Sequence, residues 1–364
     1  MKRIFTIGGI VAVVLFSTFA AHAAPYPYVL REIGTLGGNF SIARGITARG
    51  EVVGSSSTGT TTHAFITGPN GALPMRDLGT FGGNRSSANA VNDRGQVTGY
   101  AFPSPSQINA FMTGQHGALP LRNLGTFGGT VSEGYGINAS GQVVGRAAIA
   151  GDSAQLAFLS APNGGALVSL GTLGGDHSVA YAVNNRGEVV GYSFLAGNIV
   201  QHAFVSGPGG GALIDLGTLG GTVSAAGGIN AKGEVVGTSD IAGDTARHGF
   251  YYSPQDRRLV DLGTVGGGNS SALAINSRGQ IVGASETAGG VFRALIRTPS
   301  RGWEDLNDLV DPATGFTMRI PFCINERGQI AGQGHNRNGQ LRAFILTPRH
   351  METGEEMGDG RRED

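Results

Sequence analysis

Leu216-Gly217-Thr218-Leu219-Gly220-Gly221 is a phrase that the chain repeats. It returns with small changes at residues 33–38, 78–83, 124–129, 170–175 and 262–267, and in a worn form at Leu306. The spacing is about 46 residues, and a fixed period of that length predicts a stacked or radial repeat, not one irregular core.

The segment after each Gly-Gly pair has a constant form. Ser41, Ser86, Ser132, Ser178, Ser224 and Ser270 open it. Ala or Gly then follows at alternate places: Ala43/Gly45, Ala88/Ala90, Gly134/Gly136, Ala180/Ala182, Ala226/Gly228 and Ala272/Ala274. Period-two alternation means a strand. Small residues along one of its faces mean that something packs very close there. The strand ends at Thr47, or at Asn92, Asn138, Asn184, Asn230, Asn276 or Asn325, and a glycine such as Gly95 or Gly233 closes each turn. Asn first and Gly fourth suit a type I turn closed by a left-handed glycine.

A second strand follows at once, as in Gln142-Val143-Val144-Gly145. Adjacent β-branched residues place side chains on both faces, so this strand is expected to be covered on both sides. A third strand opens at tripeptides such as His63-Ala64-Phe65, His202-Ala203-Phe204 and His248-Gly249-Phe250. A fourth, such as Ala212-Leu213-Ile214-Asp215-Leu216, delivers the next Gly-Gly loop. Four short antiparallel strands in about 46 residues match one blade of a β-propeller.

Seven first, seven second and seven third strands can be counted, but only six fourth strands follow their own third strand. The missing one stands at the other end of the chain, at Tyr28–Ile33. The expected fold is therefore all-β: a seven-bladed β-propeller of four-stranded antiparallel blades, with the N-terminal strand closing the last blade. The rival is a β-solenoid. A solenoid wants capping repeats at its ends, whereas here the two ends are incomplete in complementary ways. The propeller is expected over residues 24–348. Residues 1–23 read as a signal peptide, with Lys2-Arg3, an apolar run and an Ala21-His22-Ala23 cleavage site. Residues 349–364 read as a charged, disordered tail.

Composition narrows the function classes. Lys+Arg and Asp+Glu are both 26, so there is no electrostatic reason to expect nucleic acid or an anionic membrane as partner. Cys323 is the single cysteine, which rules out intrachain disulfides and thiolate metal clusters. Export without disulfides suits a periplasmic or secreted product, and no membrane span is expected in the mature chain.

The units resemble the extracellular repeats of the HAF family. The likeness rests on His202-Ala203-Phe204, on the Leu216 to Gly221 phrase and on Ile229-Asn230-Ala231-Lys232-Gly233-Glu234-Val235-Val236-Gly237. It runs from about Ile33 to Pro348. The resemblance implies export and a repeat fold. It implies no catalytic residue and no cofactor.

The recurring polar residues have structural readings. His63, His202 and His248 occupy equivalent places in separate blades, too far apart to share a zinc ion. The Gly-Gly loops lead into strands, so they lack the helix N-terminus of a phosphate loop. They are expected to supply positive φ or close approach. Asp77, Asp215, Asp261 and Asp305 recur just before the loops, as a turn or inter-blade bond would require. The sequence offers no Ser/His/Asp order, Cys/His pair or calcium loop, and no asymmetric cluster of acids, His or metal ligands is expected near the axis. One set stands out as a candidate binding ring: Asn39, Asn84, Thr130, Asp176, Thr222 and Asn269 follow the Gly-Gly pairs. They open the innermost strands and should ring one mouth of the central channel. Any ligand is expected on that face, where the variable loops between second and third strands also lie. The expected role is a binding or interaction module for a glycan, peptide or protein, with no cofactor. The alternative is a polysaccharide-active hydrolase or lyase on a propeller scaffold.

Overall fold

The computed structural model describes residues 26–349. Their strands pair into seven four-stranded antiparallel blades. The fourth blade shows the pattern: inner strand Gly174–Val183, second Val189–Leu195, third Gln201–Ser206 and outer Leu213–Gly217. Inner strands of successive blades touch all the way round. The seventh inner strand, Thr317–Ile324, also touches the first, Ser41–Ile46, so the ring is closed. Closure is completed by Tyr28–Ile33, which pairs antiparallel with Leu341–Pro348 from Tyr28↔Pro348 to Ile33↔Ala343. That pairing sets the solenoid aside. The expected signal peptide lies outside the described residues, as does the charged tail apart from Arg349, whose N–H donates to the Pro27 carbonyl (3.0 Å). No helix among the described residues is long and apolar enough to cross a membrane.

Each repeated residue has a packing reason. Val52 and Val53 are both fully buried, as a strand covered on two faces requires. Phe65, Phe111, Phe158, Phe204, Phe250 and Phe344 are fully buried too. Each such ring contributes about 2–3 kcal/mol by leaving water. The serine near the start of the first six inner strands ties its blade to the one before; the seventh, Thr317–Ile324, has none. Ser224 Oγ donates to the Gly217 carbonyl (2.6 Å) and accepts the Ala203 N–H (2.8 Å). Ser41 does the same across the closing seam, to Ile33 and Ala343. The two loop glycines differ. Gly220 has φ of 106°, a left-handed value that side chains resist. Gly221 has ordinary φ, but a Cβ there would stand 2.7 Å from the Ile241 carbonyl oxygen.

The turn asparagines do more than turn. Asn230 Oδ1 accepts the N–H groups of Lys232 and Glu234, and its Nδ2 donates to the Asn276 carbonyl of the next blade (3.1 Å). Asn92, Asn138, Asn184, Asn276 and Asn325 make the same reach, so a belt of amides runs round one end of the ring. Between the sixth and seventh blades the pattern changes. The outer strand Gly302–Asp305 leads into 3₁₀ turns at Leu306–Leu309 and Pro312–Thr314, and Leu306 is fully buried in place of the usual loop.

Candidate functional site

The small residues of the inner strands face the neighbouring blade. A Cβ on Gly136 would stand 2.9 Å from the Tyr181 carbonyl oxygen and 3.1 Å from Ala182 Cα. Strand alternation then turns the residue between each small pair toward the axis. That column reads Arg44, Asn89, Tyr135, Tyr181, Gly227, Leu273 and Phe322, and every member lines one cavity of about 610 Å³.

The cavity is lopsided. Blades two to four supply Asn89, Tyr100, Glu133, Tyr135, Arg146 and Tyr181. Blades five and six supply Ala225, Gly227, Ala272 and Leu273. Gly227 stands where the two preceding blades carry tyrosines, which leaves room on that side. Arg44 closes the circle by lying over the Phe322 ring, 5.1 Å from its centroid.

The polar wall is organised on Glu133, which is buried. Its Oε2 receives Arg146 Nε (2.9 Å) and Nη2 (2.8 Å), and also the Tyr135 hydroxyl. Burial first, and Glu133 second, push the Tyr135 phenol far above its ordinary range. Burial also pushes Tyr181 up to about 12, with Tyr192 adding to it. For Arg146, burial favours the neutral form, but Tyr135 and Glu133 outweigh it and its pKa rises. Tyr135 and Tyr181 lie with ring centroids 5.4 Å apart, and Tyr192 stands 5.9 Å beyond Tyr181.

Several polar atoms of this wall have no partner among the described residues. They are Glu133 Oε1, the hydroxyls of Tyr100 and Tyr181, and the Arg44 guanidinium. Asn89 donates to the Gly134 carbonyl (2.8 Å), which leaves its Oδ1 free. Aromatic faces beside unspent donors and acceptors are what a small polar ligand needs.

The candidate ring occupies a different level. Asn39, Asn84, Thr130, Asp176 and Thr222 are exposed and Asn269 is half-buried, all at the Gly-Gly end. None of them lines the cavity. Four tie down the variable loops: Thr130 to Asp152, Thr222 to Asp244, Asp176 to Asn198, and Asn269 to Arg247 and Glu286. Thr130's N–H and hydroxyl hold the Asp152 carboxyl below the usual range. The histidines do not converge. His63, His202 and His248 each pair within their own blade, with Asp77, Asp215 and Asp261 at 2.8–2.9 Å. Blades six and seven use Arg293–Asp305 and Arg342–Glu32 at the same place. Among the described residues no cluster of His, Cys, Asp or Glu could hold a metal ion.

Comparisons with solved structures give the fold. The β-propeller domain of the trilobed protease from Pyrococcus furiosus matches with a TM-score of 0.57 and 7% identity, over 84% of this chain and 95% of that one. Oligogalacturonate lyase from Vibrio parahaemolyticus matches with a TM-score of 0.52 and 10% identity, over 88% and 97%. This chain is a β-propeller. The trilobed protease propeller is described as having an open velcro topology; here the terminal strands pair and the ring is shut. No family model matches the chain, and no curated protein matches it.

Proposed function

We propose that the protein is an exported HAF-repeat propeller acting as a binding module, periplasmic or extracellular, whose ligand sits in the central cavity. The observation that carries this is the unspent polar wall of Glu133 Oε1, Tyr100, Tyr181 and Arg44 around about 610 Å³ of space. A cavity of that size suits a small molecule or the end of a chain. The rim residues Asn39, Asn84, Thr130, Asp176, Thr222 and Asn269 then form an outer lip, where a longer glycan or peptide would pass. The hydrolase alternative is weaker at this wall. Glycoside hydrolysis ordinarily takes two carboxyl groups, and among the described lining residues Glu133 is the single carboxylate, already tied to Arg146 and Tyr135. A glycan and metabolite screen on the mature protein tests the reading. Hits that Tyr181→Ala abolishes support it; hits that Tyr181→Ala leaves unchanged place binding elsewhere.

A further inference from the structure

The charges of the cavity do not cancel. Arg146 is spent on Glu133, with two nitrogens on one oxygen. Arg44 faces the same space, and no carboxylate among the described residues pairs with it. Its guanidinium is instead laid over the Phe322 ring, which leaves its N–H edge free to meet a ligand. Two arginines against one glutamate leave one positive charge in the lining.

The neutral part of the wall has its own preference. Tyr135 and Tyr181 present tilted ring faces, and Glu133 Oε1, Asn89 Oδ1 and the Tyr181 hydroxyl offer hydrogen-bonding atoms around them. Ring faces flanked by scattered acceptors and hydroxyls fit a sugar, which has apolar C–H faces and a rim of hydroxyls. A single planar fork fits one carboxylate. A phosphate monoester carries close to two negative charges at neutral pH and would leave an excess beside Glu133.

We propose that the cavity recognises an acidic saccharide of one or two rings, with Arg44 reading the sugar carboxylate and the Tyr135–Tyr181 pair taking a ring face. This rests on the cavity being the binding site, as argued above.

The test compares two disaccharides that differ at one carbon: cellobiouronic acid, which carries a carboxylate, and neutral cellobiose. 4-Hydroxybenzoate serves as a carboxylate on a non-sugar ring. Binding to the whole mature protein is measured by calorimetry for wild type, Arg44→Met and Arg44→Lys. Arg44 is exposed to the channel, and thermal melts check that both variants fold. The acidic disaccharide should bind wild type at least about tenfold tighter than cellobiose, as a charged hydrogen bond allows. Arg44→Met should reduce that preference to about twofold or less, and Arg44→Lys should retain part of it. Equal affinity for both disaccharides would overturn the carboxylate assignment while leaving the channel as a binding site. 4-Hydroxybenzoate binding as tightly as the acid sugar would overturn the saccharide part. Preference that survives in Arg44→Met, or no binding of either disaccharide, would overturn the proposal as a whole. The channel reading itself falls if the ligands found by the wider screen ignore Tyr181→Ala.

Discussion

The side-chain amide of Asn325 donates to the carbonyl of Thr47 at 2.9 Å, across 278 residues of chain. It is the link of the amide belt that crosses the closing seam. Going on round the ring, Thr47 is the one belt position that lacks an amide, so nothing equivalent reaches the second blade. There the Ala48 N–H donates to the Asp93 carboxylate at 2.7 Å, a link that Ala139 and Ser277 also make to the next blade beside an intact amide bond. Asn325→Ala removes four hydrogen bonds at a buried position and is expected to cost about 3 kcal/mol. Thr47→Asn supplies the missing amide, with the Asn92 carbonyl as its acceptor, and is expected to add about 1 kcal/mol. Chemical denaturation of both variants checks the pair. A destabilised Thr47→Asn would mean that the belt is decoration on a ring held by other contacts.

The closing strand makes a second prediction. Tyr28–Ile33 covers the edge of Leu341–Pro348, and Glu32 meets Arg342 at 3.3 Å. Deleting residues 24–33 bares that edge, which pairs readily with another chain. The truncated protein should melt at a lower temperature and associate in a concentration-dependent way by sedimentation. A monomer that melts like the parent would refute the closure.

The fold was legible because its signals repeat. The Ser, Asn, Gly-Gly and Phe positions each recur in step, and one fourth strand was missing at the end where its counterpart was spare. The site was not legible, because it is written in the one inner-strand column that does not repeat. Arg44, Tyr135 and Tyr181 differ from Gly227 and Leu273 at the same place, and a search for recurring or contiguous residues passes over all of them. Glu133 and Arg146 lie on adjacent strands of one hairpin, yet nothing local shows that they face the axis. The available clue was the alternation itself: if Gly134 and Gly136 face a neighbouring blade, Tyr135 must face the channel. The rim residues were visible as a polar column, and their loop partners recur too, in Ile149-Ala150-Gly151-Asp152, Leu195-Ala196-Gly197-Asn198 and Ile241-Ala242-Gly243-Asp244; strand alternation alone does not show that the two sets meet.

Alkali should act on the tyrosine wall. Tyr181 has a folded pKa of about 12 against an ordinary value of 10.0, and Tyr135 and Tyr192 are also raised, chiefly by burial. A phenol whose folded pKa is raised stabilises the fold fully below its unfolded value. That contribution is lost as pH climbs through the folded value, because the unfolded chain gives up its proton first. Stability is therefore expected to hold up to about pH 10 and to fall from there toward about pH 12. A phenolate absorbance titration should show the channel tyrosines ionising together with loss of structure. Free, early titration of all eight tyrosines would contradict the buried wall.

Gly227 provides the sharpest test of the cavity. It is the position in the axial column where the side chain is missing, its φ is ordinary, and the nearest atom to an added Cβ is the Leu273 carbonyl oxygen at 3.3 Å. A small local shift accommodates that contact. Tyrosine already occupies the same column in blades three and four, on the same kind of strand. Gly227→Tyr should therefore fold, with stability within about 1 kcal/mol of wild type, while its ring fills the open side of the cavity. Gly237 gives the contrast. It also lines the cavity, but a Cβ there would stand 2.1 Å from the Ala225 carbonyl oxygen of the paired strand. Gly237→Ala is expected to cost about 3 kcal/mol. Loss of ligand binding in a well-folded Gly227→Tyr protein would locate the ligand at the axis. Full binding in that variant would move it out to the rim, to the loops anchored by Thr130, Asp176 and Thr222.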